Sequence, residues 1–83
     1  MPHKLIVIIP AYNEGPVIGS TIAGVRAVLQ EPPLNDLSSE VIVVDDGSLD
    51  NTFEMATQQG VTVLSHPVNR GLGAALLTGF QAA

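Results

Sequence analysis

Val41-Ile42-Val43-Val44-Asp45-Asp46-Gly47-Ser48 reads as a buried strand that breaks into a turn carrying two adjacent carboxylates. Four consecutive apolar residues without polar alternation suit a strand covered on both faces, as in a parallel sheet. Gly47-Ser48 ends it, and the carboxyl edge of such a sheet is where α/β folds present side chains to a ligand. Two neighbouring carboxylates repel each other unless a cation or a hydrogen-bond donor answers them, and no basic residue lies close in sequence. A ligand N–H, a ribose hydroxyl or a divalent metal such as Mg2+ or Mn2+ would do so. The plainer alternative is that Asp46, Gly47 and Ser48 are turn formers and Asp50 a helix cap.

Working outward, apolar periods and chain breakers alternate in one rhythm. Leu5 to Ile9 is continuous and β-branched, and Pro10 is expected to end it. Gly15-Pro16 opens a helix with Ile18, Ile22, Val25 and Leu29 at helical spacing, ending near Gln30. Glu31 to Ser39, with Pro32-Pro33 and Asn35-Asp36, is loop by composition. Asp50 or Asn51 caps a short helix that Gly60 stops. Val61 to Leu64 is a third strand, His66 to Arg70 a loop, and Gly71 onward a helix carrying Leu72, Leu76 and Phe80. The predicted fold class is α/β, a Rossmann-like parallel β-α-β-α-β-α unit. Gln81-Ala82-Ala83 lacks a capping glycine, so the last helix reads as cut in mid-turn and the chain as a fragment.

Composition removes several classes. Of 83 residues, 46% are hydrophobic and 13% charged, which argues against disorder. The net charge of −5 leaves only Lys4, Arg26 and Arg70 as basic residues, scattered along the chain, so no nucleic-acid footprint is present. There are no cysteines, hence no disulfide, thiolate nucleophile or sulfur-ligated zinc. The opening apolar run is too short for a signal segment or a membrane span, and a cytoplasmic location is expected.

Three strand ends carry the candidate chemistry. Pro10-Ala11-Tyr12-Asn13-Glu14 follows the first strand and offers a flat ring, an amide and a carboxylate at the edge that also holds Asp45-Asp46. A nucleotide base needs a packing surface and acceptors for its N–H groups, which Tyr12, Glu14 and the aspartates supply. Alternatively, Asn13 and Glu14 simply cap the first helix. Asn69-Arg70-Gly71-Leu72-Gly73 superficially suggests a dinucleotide fingerprint, but Leu76 stands where the third glycine belongs and the turn follows the third strand. Its small residues suit close helix-to-sheet packing, with Arg70 as a phosphate or base contact the other reading. His66 is expected to be a loop residue and His3 an exposed terminal one, neither with metal-ligand spacing.

Ile8-Ile9-Pro10-Ala11-Tyr12-Asn13-Glu14, then Val43-Val44-Asp45-Asp46-Gly47-Ser48-Leu49-Asp50-Asn51-Thr52, then Asn69-Arg70-Gly71-Leu72-Gly73-Ala74-Ala75, resembles the family 2 inverting glycosyltransferases of GT-A fold. The last stretch is most similar to the branch that includes dolichyl-phosphate mannose synthase and polyprenyl-phosphate glycosyltransferases. The resemblance implies that Pro10, Ala11, Tyr12 and Glu14 line the base and ribose pocket. It also implies that Asp46 accepts from the base ring N–H with Asp45 beside it, and that Arg70 closes over the nucleotide. It implies a nucleoside-diphosphate sugar as donor and a lipid phosphate or saccharide as acceptor. Mg2+ or Mn2+ is expected in the full-length enzyme, on an Asp-X-Asp motif at a fourth strand that these residues do not include.

On this reading residues 1–83 are a single partial domain, the N-terminal nucleotide-binding half of a GT-A catalytic domain, without catalytic or metal-binding residues of its own. The fragment alone is expected not to transfer sugar. Membrane association would come only through a missing C-terminal part. Because the resemblance places a missing fourth strand beside the first, self-association is expected through a bare Leu5 to Ile9 edge or through the unfinished Gly71 to Ala83 helix. Two rival classes remain, a receiver-like signalling domain and a noncatalytic interaction module. The receiver should end its third strand on an aspartate, where Ser65-His66 stands.

Overall fold

The computed structural model describes residues 4–83; His3 lies outside them. Along the chain come β1 (Lys4–Ala11), α1 (Gly15–Leu29), a short 3-10 turn (Leu34–Asp36), β2 (Ser38–Asp46), α2 (Thr52–Thr57), β3 (Thr62–His66) and α3 (Leu72–Ala82). The three strands form one parallel sheet in the order β1-β2-β3. The α/β alternation is therefore as predicted, with β2 at the centre and Val41 through Asp46 all buried.

The continuous apolar character of the strands follows from helices on both faces. Alternate residues of a strand point to opposite sides. Ile9, Ala11, Val43 and Val63 meet Ile18 and Ile22 of α1 and Ala56 of α2. Ile6, Ile8, Ile42, Val44 and Leu64 meet Ala75 of α3. Asp45 shares a side with Val43, and Asp46 with Val44. The adjacent carboxylates consequently belong to different faces of the sheet.

Three boundaries differ from the predicted ones. β1 runs through Pro10 to Ala11, because an edge strand tolerates a residue without an N–H. β2 begins at Ser38, inside the predicted loop, since register with β1 extends the ladder past the apolar run to Lys4 opposite Ser38. β3 runs two residues beyond Leu64, which makes His66 a strand end rather than a loop residue. His66 precedes Pro67, and a residue before proline favours extended backbone.

Small residues form the inner face of α3. Leu72 and Phe80, at helical spacing with Leu76, are 64% and 67% exposed, whereas Ala75 and Gly79 are buried, in keeping with the close helix-to-sheet packing expected of the small residues. A Cβ on Gly79 would lie 2.5 Å from Ile8 Cγ2, so the helix sits too close to β1 for a side chain there. Close approach places small residues inward and turns the large apolar ones outward.

Candidate functional site

The turn after β2 joins the three strand ends. Gly47 has φ +73°, and a Cβ there would collide with the Val68–Asn69 backbone, so only glycine lets the β2 and β3 exits pass. Asp45 Oδ1 accepts from the Ser48 N–H at 3.2 Å and holds the turn on the α1 and α2 side of the sheet. Ser48 Oγ in turn accepts from the Asn13 N–H at 2.9 Å, while Asn13 Oδ1 accepts from the Leu49 N–H at 2.8 Å. This reciprocal pair holds Asn13 at φ +51°, a left-handed conformation that asparagine tolerates better than most residues.

The first turn of α1 is capped from the other loop. No side chain of its own flanking residues caps the helix. Instead Thr52 Oγ1 accepts from the Glu14 N–H at 2.8 Å, and Asp50 Oδ2 from the Gly15 N–H at 3.0 Å. Asp50 Oδ1 also accepts from the Thr52 N–H and hydroxyl, so one carboxylate serves the starts of α1 and α2 together. The Thr52 hydroxyl, foremost, holds the Asp50 carboxyl below its usual range. Of the two expected caps of α2, Asn51 holds the N-cap position without a side-chain hydrogen bond and Asp50 supplies the acceptor, whereas Asn13 and Glu14 do not cap α1 with their own side chains.

Asp46 is answered by the protein itself. Its Oδ1 accepts from His66 Nδ1 at 2.7 Å and from the Arg70 N–H at 2.9 Å, and its Oδ2 from the Gly71 N–H at 2.9 Å. The acceptor is an ionised carboxylate, so Nδ1 carries the hydrogen. His66 Nε2 lies 2.7 Å from Thr78 Oγ1 on α3. Asn69 Nδ2 donates to the Asp46 carbonyl at 3.2 Å. The His66 hydrogen bond first, and the Arg70 N–H next, lower the Asp46 carboxyl from its usual range against the opposing effect of burial. The carboxylate also sits at the amino end of α3, where Gly71 has no side chain to offer and a negative charge is favoured.

Two adjacent carboxylates need cations or hydrogen-bond donors to answer them. Strand alternation separates them, and internal donors then answer each, His66 with two backbone N–H groups for Asp46 and Ser48 for Asp45. From sequence His66 reads as a loop residue and Thr52 only as part of a motif, and Thr78 carries no reading at all. Reading β3 to the residue before Pro67 would have put His66 beside Asp46, whereas nothing local marks Thr78 or the caps shared between loops.

Beside this network lies a cleft of about 250 Å³, bounded by the ends of β1 and β2 and the start of α3. Pro10, Ala11, Tyr12, Glu14 and Asp46 line it, joined by Asn69 and Leu72. Tyr12 is 43% exposed, which leaves its ring available for a ligand. Two predicted site residues are placed otherwise. Asp45 does not line the cleft, because it belongs to the other face of β2. Arg70 contributes its backbone N–H to Asp46 and is exposed beyond the cleft lining. Among the described residues no three His, Cys, Asp or Glu side chains cluster. No helix among them is long and apolar enough to cross a membrane. β3 ends on His66 instead of the aspartate that a receiver-like domain would need.

Comparison with known proteins bears on the family and the fold. Residues 6–83 match the family model described as glycosyl transferase family 2. A dolichyl-phosphate beta-glucosyltransferase of Trichomonas vaginalis is 37% identical over 81 residues, covering 87% of this chain and 23% of its own length. Mannosyltransferase PcManGT from Pyrobaculum calidifontis, solved with GDP-Man and Mn2+, superposes with a TM-score of 0.82 at 28% identity, over 100% of this chain and 25% of the other. Glucosyl-3-phosphoglycerate synthase from Mycobacterium tuberculosis, solved with Mn2+, UDP-Glc and glycerol 3-phosphate, superposes with a TM-score of 0.76 at 31% identity, over 98% of this chain and 30% of the other. The chain therefore spans less than a third of the length of each of these relatives. The parallel β-α unit matches the N-terminal part of GT-A glycosyltransferase structures, and with the family match covering nearly every residue, the chain belongs to glycosyl transferase family 2.

Proposed function

We propose that this chain is the donor-binding part of an inverting glycosyltransferase that moves a sugar from a nucleoside diphosphate to a lipid-phosphate or saccharide acceptor. The observation that carries the reading is the cleft at the carboxyl ends of β1 and β2, which gathers Pro10, Ala11, Tyr12, Glu14 and Asp46. It lies at the sheet edge that binds ligands in this architecture. Tyr12 offers a ring face or edge to the base and Asp46 an acceptor for a base N–H, with Arg70 at the rim for the diphosphate. Asp45 serves the pocket indirectly, by holding the Gly47-Ser48 turn.

The relatives solved with Mn2+ and nucleotide sugars support a divalent metal in the complete protein. The described residues hold no cluster of three His, Cys, Asp or Glu side chains. Residues 1–83 recognise the donor, and the acceptor-activating base and metal ligands belong to sequence beyond them. The full-length protein acts in the cytoplasm or at the cytoplasmic face of a membrane. Among the described residues β1 pairs only with β2, and for residues 1–83 alone the free edge from Leu5 to Ile9 supports pairing with a second copy.

Calorimetric titration of the full-length protein with nucleoside diphosphates and Mn2+ tests the reading. Saturable binding is expected, weakened by Tyr12→Ala. Absence of binding by every nucleoside diphosphate would overturn it.

A further inference from the structure

The hydrogen-bond inventory of Asp46 restricts which base the cleft accepts. A carboxylate offers about four acceptor positions, two on each oxygen. His66 Nδ1 and the Arg70 N–H fill both on Oδ1, and the Gly71 N–H fills one of the two on Oδ2. A single position remains. Asp46 is also only 4% exposed, so a ligand reaches little of it. The accounting does not depend on the charge of His66, since its Nδ1 donates to the carboxylate whether Nε2 accepts from Thr78 or donates to it.

Bases differ in what they ask of such a carboxylate. Guanine presents a ring N–H beside an exocyclic N–H, two parallel donors that call for one oxygen each. Against Asp46 one of them would meet an oxygen already saturated and lose its water without a replacement. Uracil presents one ring N–H between two carbonyls and needs one acceptor. Adenine and cytosine set a ring acceptor nitrogen beside their exocyclic amine, which would face the carboxylate's negative charge.

Resting on the reading of Asp46 as the base contact, we infer that the cleft selects a uracil-type base over guanine, and that His66 is the positioning residue that sets this choice. His66 does so by filling an acceptor position on Oδ1 that guanine would otherwise use. Its register partnership with Asp46 and its hydrogen bond to Thr78 hold it there.

Parallel calorimetric titrations of the full-length protein with UDP and with GDP, in one buffer containing Mn2+, decide the matter. UDP is expected to bind on the order of tenfold tighter or more, the cost of one unpaired buried donor. GDP binding as tightly as UDP overturns the inference and leaves the nucleotide-binding reading standing. Binding of neither removes that reading, and the inference with it. His66→Phe, which has no donor, is expected to narrow the UDP-to-GDP gap, whereas His66→Asn, which keeps a donor near the Nδ1 position, is expected to preserve it. An unchanged gap in a folded His66→Phe protein overturns the role of His66. Should neither variant fold, the comparison of UDP with GDP on the unaltered protein still settles base choice.

Discussion

Asp46 and His66 are register partners at the ends of neighbouring parallel strands, and their side chains meet at 2.7 Å. The contact fastens the exit of β3 to the exit of β2. Through the Arg70 and Gly71 N–H groups on the same carboxylate it also fixes where α3 starts. One aspartate therefore shapes the cleft wall as well as offering an acceptor to it.

Acid should unfold the protein partly through this carboxylate. The Asp46 pKa is lowered in the folded state, chiefly by His66 and then by the Arg70 N–H. A group shifted in this direction contributes its full stabilisation above the ordinary aspartate pKa of about 3.9 and loses it as pH falls through the lower folded value. Asp50, lowered mainly by Thr52, acts with the same sign. Denaturant midpoints followed from pH 6 to pH 2 should fall most steeply below about pH 4. The Asp46→Asn protein should show a shallower fall, and an identical slope would show that Asp46 carries no such linkage.

Removing the Thr52 hydroxyl should expose the dependence of α1 on its cap from the neighbouring loop. Thr52 is fully buried and its Oγ1 accepts from the Glu14 N–H. Thr52→Val keeps the volume and strands that donor, at a cost of about 1 to 3 kcal/mol by chemical denaturation. A neutral substitution would mean that water replaces the hydroxyl.

Gly47→Ala should be more damaging than its size suggests. The position combines a left-handed φ with backbone contact to Val68 and Asn69. A loss of at least about 2 kcal/mol is expected, together with weaker nucleotide binding, because the loop that brings Arg70 and Gly71 to Asp46 must move. By contrast Gly24→Ala, which meets nothing within 4 Å, should be neutral or stabilising. Equal stability of the two variants would contradict the close approach.

Tyr12 should matter to ligand affinity and little to stability. It lines the cleft and is 43% exposed. Tyr12→Ala is expected to weaken nucleoside diphosphate binding roughly tenfold, equivalent to about 1.4 kcal/mol of lost ring contact, while the thermal midpoint stays nearly unchanged. Undiminished affinity would place the base elsewhere.

The free edge of β1 makes a prediction for residues 1–83 on their own. Leu5→Lys puts a charge on that edge, the usual device by which sheets discourage edge pairing. Light scattering should show concentration-dependent self-association of the unaltered chain and less of it in the variant. A monodisperse monomer at high concentration would count against pairing through β1.

Much of this molecule is legible from local pattern. Leu5 to Ile9 and Val41 to Val44 announce strands because a run buried on both faces has no reason to alternate. Gly15-Pro16 followed by Ile18 and Ile22 announces α1 because both the opening and the spacing are local properties of a helix. In α3 the small residues point correctly to close packing on the sheet, whereas the spacing of the large apolar ones does not mark the inner face. Leu72, Leu76 and Phe80 keep helical spacing, yet Gly79 lies against Ile8, and distance to the sheet decides that small residues face inward. Ser65-His66 resembles a loop because it is a polar pair before proline, although its backbone continues the strand.

By itself the sequence determined the order of strands and helices, the sheet edge that carries the candidate chemistry, and the family whose motifs lie along it. Those rest on periodicity and on turn residues, which act over a few positions. Only the tertiary structure decided what each carboxylate does. Strand alternation sends Asp45 and Asp46 to opposite faces, register brings His66 to Asp46 across 20 residues, and Thr52 reaches Glu14 across 38. Such contacts exist only when separate segments pack at one spacing and register, so no short stretch of sequence contains them.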